Sequence, residues 1–122
     1  MNQVEVSVVT HYVEAQSDPT EERFVCAYTI TITNNGTQSA QLMSRHWIIT
    51  DASGEVEEVR GEGVVGKQPL LAPGESFEYT SGAILKTPVG AMQGAYTFRD
   101  TNQASFSVPI AAFSLSMPNL VH

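Results

Sequence analysis

Positive charge is scarce in this sequence. Six Lys and Arg stand against thirteen Asp and Glu, a formal net charge of −7. A field of that sign repels phosphate backbones and anionic lipid headgroups, which argues against nucleic acid and membrane surfaces as partners. Cysteine occurs once, at Cys26. No internal disulfide can form, and a reduced, cytoplasmic setting is expected. Long apolar runs are missing as well. None approaches the ~18 residues that a membrane helix needs. The start, MNQVEVSVVTHYV, has no basic segment followed by an apolar run of leader length. Helical periodicity, internal repeats and low-complexity tracts are absent. The 122 residues read as one domain, 1–122, long enough to bury a core.

What is present is alternation. Val4, Val6 and Val8 alternate with Glu5 and Ser7, which predicts a half-buried strand running on to Tyr12. Glu14 to Glu22 is polar, holds Pro19 and reads as a loop. Phe24, Cys26, Tyr28, Ile30 and Ile32 share one face of a second strand, with Thr29, Thr31 and Thr33 on the other. Asn34-Asn35-Gly36 tolerates positive φ and predicts a turn. A third strand spans Ala40 to Thr50. Its alternation is imperfect, which implies two partly covered faces or a bulge. Asp51 to Gly54 turns the chain. Further strands are expected around Phe77 and Tyr79, from Gly94 to Arg99, and from Phe106 through Ile110 toward Leu115. Ser81 to Gly94 holds Gly82, Pro88 and Gly90 and reads mostly as loop. Seven to nine short strands without a helix predict an all-β, antiparallel β-sandwich with the lone Trp47 in its core.

The stretch from Ser44 to Tyr79 concentrates the chemistry. Gly61, Gly63 and Gly66 form a Gly-x-Gly-x-x-Gly run. A dinucleotide site needs a helix opening at the third glycine. Here Lys67-Gln68-Pro69 and then Pro73-Gly74 leave no room for one. A Gly-rich turn can still gather backbone N–H groups into an anion nest, and Arg60 and Lys67 flank this one. Glu55, Glu57, Glu58 and Glu62 oppose an anion there. The glycines equally suit positive φ, close backbone packing or a protein-contact loop. Other chemistry is poorly supplied. His11, His46 and His122 are scattered, so no metal site is expected. Glu55, Glu57 and Glu58 read as a solvated acidic edge. Cys26 lies on an apolar face and reads as an inert core thiol. Ser44, Arg45 and His46 adjoin, but successive strand residues point to opposite faces and cannot act as a relay. Leu70-Leu71 and Ile84-Leu85 are candidate apolar patches for a partner.

Several segments together resemble the ApaG family, also called CorD. They are Leu42-Met43-Ser44-Arg45-His46-Trp47, Val59 to Gly66, Gln68-Pro69, Leu71-Ala72-Pro73-Gly74-Glu75, Tyr79-Thr80-Ser81-Gly82 and Met92-Gln93-Gly94-Ala95-Tyr96. Tyr28-Thr29-Ile30 and Asn35-Gly36 agree upstream. Two departures stand out. Ala83-Ile84 replaces a Cys-Pro pair, and Ile110-Ala111-Ala112-Phe113 replaces an Ile-Pro-x-Phe pattern, with Pro109 displaced.

The resemblance implies an immunoglobulin/fibronectin-type-III-like sandwich without enzymatic activity or cofactor. It implies links to cobalt resistance and magnesium efflux, and gene neighbourhood with a diadenosine tetraphosphate hydrolase. Related domains in F-box proteins and in a DNA-polymerase-interacting protein imply a protein-binding module. The glycine motif implies a loop for pyrophosphate, a nucleotide or a dinucleoside polyphosphate. The expectation is a cytosolic interaction domain with a protein partner. The alternative is a phosphate-type ligand, with or without a divalent cation, at Arg60, Gly61, Gly63, Gly66 and Lys67. Edge-to-edge pairing into a homodimer is also open to a sandwich.

Overall fold

The computed structural model describes residues 3–118. Its strands are β1 (Val4–Tyr12), β2 (Phe24–Asn34), β3 (Ala40–Asp51), β4 (Val56–Glu62), β5 (Leu70–Leu71), β6 (Ser76–Leu85), β7 (Val89–Asp100) and β8 (Ser105–Ser116). They build two antiparallel sheets, β1-β2-β6 and β4-β3-β7-β8, with β5 also paired to β3. This is the predicted all-β sandwich, three strands facing four in the fibronectin-type-III manner.

The inward residues follow the alternation. Cys26, Tyr28, Ile30 and Ile32 of β2 are buried beneath Trp47, Tyr96 and Phe98 of the opposite sheet. Trp47 is 2% exposed and packs edge-on against Tyr28, Tyr96 and Phe113. Two bulges explain where the alternation slips. In β3 the register shifts between Leu42 and Ser44, so burial passes from Leu42 to Trp47 by an odd step. Between β7 and β8, Met92 pairs Phe113 but Gly94 pairs Ile110. One residue of β7 therefore opposes two of β8, and the buried set changes phase between Ile110 and Leu115.

Four segments depart from the sequence expectation. Glu14–Gln16 and Pro19–Glu21 are short 3₁₀ turns within the polar loop. Ser81 to Gly94 is mostly strand, split between β6 and β7 with only Lys86 to Pro88 between them. Its glycines permit close approach rather than breaking the strands: a β-carbon at Gly94 would fall on the His46 carbonyl oxygen. Arg60 and Gly61 belong to β4, not to a loop. The chain does turn after Asn34, yet Asn34, Asn35 and Gly36 all keep negative φ. The buried Asn34 side chain makes that turn instead. Its Nδ2 donates to the Gln38 and Leu71 carbonyls at 2.8 and 2.9 Å, and its Oδ1 accepts from Gly36 N–H at 2.9 Å.

On one side of the sandwich β1 lies beside β8. The other side is bounded by the edges of β4 and β6, which pair with no further strand among the described residues, and cavities open between the sheets there.

Candidate functional site

The glycine run divides between a strand and a tight hairpin. Gly61 pairs with Arg45 inside the β3–β4 ladder. Gly63, at φ 64°, donates its N–H to the Met43 carbonyl at 2.9 Å, at the β3 bulge. Gln68 Nε2 donates to the same oxygen at 2.9 Å. Val64 and Lys67 then exchange two backbone hydrogen bonds of 2.8 and 2.9 Å around Val65-Gly66. Both tip residues have positive φ, 43° and 78°, the pattern of a type I′ turn. Val64 is fully buried and anchors the hairpin to the core.

Each glycine answers a different local demand. A β-carbon at Gly63 would fall on the Lys67 carbonyl oxygen. At Gly66 space is open, and only the positive φ selects glycine. At Gly61 a β-carbon would lie 2.7–2.9 Å from the Arg45 guanidinium. Three N–H groups of the supposed nest, those of Gly63, Val64 and Lys67, are committed to carbonyls of the protein. Arg60 points outward from β4, 3.6 Å from Glu58, which also stands 3.4 Å from His46 Nε2. Lys67 is exposed beside the hairpin tip. The five residues thus occupy one continuous segment, but Arg60, Gly61 and the hairpin present different faces.

The residue that sequence reasoning passed over is Arg45. The β3 bulge puts Arg45, Trp47 and Ile49 on the inward face. Arg45 Nη1 donates to the Glu62 and Gly63 carbonyls at 3.1 and 3.0 Å, which holds the guanidinium flat against Gly61. It lines a cavity of about 360 Å³ between the sheets, walled by Tyr28, Trp47, Val59, Ser81 and Met92. A second cavity of about 370 Å³ adjoins it through Ile49, Glu57 and Ile84 and carries Asp51, Glu55 and Lys86 on its rim. The signal was available in the sequence: an arginine in phase with Trp47 and Ile49 on one strand face.

Below Arg45 the hydroxyls of Tyr79 and Tyr96 share a short hydrogen bond of 2.5 Å. Burial pushes the Tyr79 hydroxyl up to about 12 and the Tyr96 hydroxyl higher still, so both stay protonated. Neither has a base beside it among the described residues. Burial also raises the Cys26 thiol, which keeps it a poor nucleophile. Arg45 and His46 lie on opposite faces of β3, as alternation requires. Among the described residues no three His, Cys, Asp or Glu side chains are grouped to hold a metal. His122 lies outside those residues. The apolar pairs split likewise. Leu71 and Leu85 are buried, while Leu70 and Ile84 are exposed.

Comparison with known proteins places this architecture. The model of the ApaG domain family matches residues 14–100. Protein ApaG of an Azoarcus species is 56% identical over 119 residues, covering 98% of this chain and 94% of the relative. The chain belongs to the ApaG family. Protein ApaG of Bordetella pertussis is 58% identical over 117 residues, covering 96% and 89%. A crystal structure of a Bordetella pertussis protein named ApaA superposes with a TM-score of 0.95 at 56% identity, covering 98% and 97%. A protein from Archaeoglobus fulgidus shares the fold alone, at TM-score 0.52 and 10% identity. The departures of this ApaG chain fall on its edge strands. Ala83 and Ile84 sit on β6, and Pro109 of β8 faces Ala95.

Proposed function

We propose that this ApaG chain is a non-enzymatic interaction domain that receives a segment of another protein at the mouth between β4 and β6. One observation carries the reading. The outer edge of β6 is ten residues long and bears a single charged side chain, Glu78, beside a cleft with an apolar floor. A long edge with a single charge invites strand addition. The edge of β4 is blocked by contrast, with Glu57, Glu58, Arg60 and Glu62 along it. Asp51, Glu55 and Glu57 on the cleft rim favour a partner segment with basic side chains. They oppose a second copy of the chain, so a homodimer at this edge is the weaker form of the proposal. A cytoplasmic setting and the family's links to cobalt resistance and magnesium efflux belong to the same reading. The free, buried thiol of Cys26 fits a reducing compartment.

A photo-crosslinking residue at exposed Ile84, compared with one at Ala91 on the outer face of the other sheet, tests this in the native host. A defined partner trapped from position 84 and not from 91 is expected. Identical or empty trapping from both positions rejects the reading.

A phosphate-type ligand at Arg60, Gly61, Gly63, Gly66 and Lys67 is the second reading. It is favoured by the hairpin tip, where the turn's own hydrogen bonds leave the Val65 and Gly66 N–H groups outward beside Lys67. Pyrophosphate, with and without Mg²⁺, should shift those two amide signals in NMR titration. Amides that stay in place at millimolar ligand remove this reading.

A further inference from the structure

We infer that the cavity between β4 and β6 is a binding site for a small organic monocarboxylate with an apolar, flat body, its carboxylate held by Arg45. This goes beyond the interaction reading, because it concerns the interior of the cleft rather than the β6 edge. The protein has thirteen Asp and Glu carboxylates against six Lys and Arg side chains. Among the described residues none stands within ion-pair distance of Arg45, although Glu58 takes up Arg60. The guanidinium is half-buried and pre-positioned. Nη1 is spent on the Glu62 and Gly63 carbonyls, and Gly61 leaves room for the group to lie flat. Nε and Nη2 meet no acceptor among the described residues, and neither is enclosed as an unsatisfied buried atom. Donors so placed match the two oxygens of a carboxylate.

The rest of the cavity chooses the body of the ligand. Tyr28, Trp47, Val59, Ala83 and Met92 give it aromatic and aliphatic walls, and Ser81 adds one hydroxyl. A volume of about 360 Å³ suits a molecule the size of an aryl-substituted acid. Charge decides between anions. One guanidinium matches one carboxylate, and Glu57 on the same rim repels any further negative charge, which disfavours phosphates and dicarboxylates. Fixing Arg45 before the ligand arrives lowers the ordering cost of binding.

The protein carries its own reporter, since Trp47 is the only tryptophan and lines the cavity. The intact chain is titrated with 3-phenylpropionate and with its neutral isostere 3-phenylpropionamide, following the Trp47 indole N–H signal and the amides of Val59 and Ser81. The carboxylate should bind about tenfold more tightly than the amide, the size of one charge-assisted hydrogen-bonded contact. Arg45→Gln should erase the difference, and Ser81→Leu, which fills the cavity and keeps Arg45, should abolish both titrations. The amide comparison uses the unaltered protein, so it stands even where Arg45→Gln folds poorly. Equal binding of acid and amide, or signals unmoved by either at millimolar concentration, overturns the inference. Neither result bears on cross-linking at Ile84.

Discussion

Gly61 lies face to face with the guanidinium of Arg45, so close that a single β-carbon there would come within 2.7 Å of Nη1. The first glycine of the run therefore makes room for an arginine on the neighbouring strand, directly opposite it in the β3–β4 ladder. A glycine scan separates the three roles. Gly63→Ala must cost most, about 2 kcal/mol or more, because both its φ and the Lys67 backbone oppose a side chain. Gly61→Ala should cost about 1 kcal/mol, through displaced Arg45 hydrogen bonds. Gly66→Ala should cost about 1 kcal/mol through positive φ alone. Only Gly61→Ala should move the Arg45 side-chain N–H signals. If those signals stay in place, the packing account of Gly61 is wrong.

Tyr79 and Tyr96 join the two sheets through their hydroxyls. Tyr79→Phe leaves the Tyr96 hydroxyl buried without its partner and should cost about 1–2 kcal/mol. Adding Tyr96→Phe should cost less than the two single changes summed. Urea unfolding of the four proteins gives the coupling, and strict additivity would refute it.

The same pair predicts alkaline sensitivity. Burial holds the Tyr79 hydroxyl up to about 12 and Tyr96 above that. In the unfolded chain both ionise near about 10. The unfolded state thus loses its protons first as pH rises. The stabilisation is whole below pH 10 and is lost as pH climbs toward the folded-state values. Each tyrosine contributes a slope of about 1.4 kcal/mol per pH unit in that window. Tyr79→Phe should flatten this limb. An unchanged slope between the two proteins would show that other groups set it.

Asn34 is a buried polar residue whose amide ties the end of β2 to the Gln38 and Leu71 carbonyls. Asn34→Ala should destabilise by about 2–3 kcal/mol, since two carbonyls and one N–H lose a partner. Asn34→Asp should be at least as damaging at neutral pH, because a carboxylate cannot donate to either carbonyl. Thermal melts decide, and an Asp variant as stable as the natural chain contradicts the assignment.

Val65 is a β-branched residue at φ 43°, in the left-handed region. Val65→Gly should relieve that strain and stabilise by about 1 kcal/mol, despite the added freedom of the unfolded chain. A lower melting temperature for Val65→Gly would mean that the exposed valine earns its place through contacts outside the hairpin.

Much of the sandwich was legible because its signals are local. Period-two alternation in β1 and β2 marks their buried faces without reference to any other strand. The irregular phase of β3 left two readings, two partly covered faces or a bulge, and the register shift between Leu42 and Ser44 is the bulge. The glycines misled, because a glycine within a strand and a glycine in a turn look alike along the chain. Gly82, Gly90 and Gly94 suggested a loop where β6 and β7 run. What separates the cases is the backbone that comes close from elsewhere, such as the His46 carbonyl at Gly94. The turn expected at Asn34 is there, but a buried side chain makes it rather than a positive φ, and one of its carbonyl partners lies as far off in sequence as Leu71.

Order along the chain determined the fold class, the buried side of β1 and β2, the lack of a helix after Gly66 and the family motifs, since each depends on neighbouring residues. Only the tertiary structure decided the site. It set which strand edges stay free, that Gly61 serves Arg45, and that Arg45 opens into a cavity with aromatic and aliphatic walls without an ion-pair partner among the described residues. Those are distances between segments remote in sequence, created when the two sheets close on Trp47.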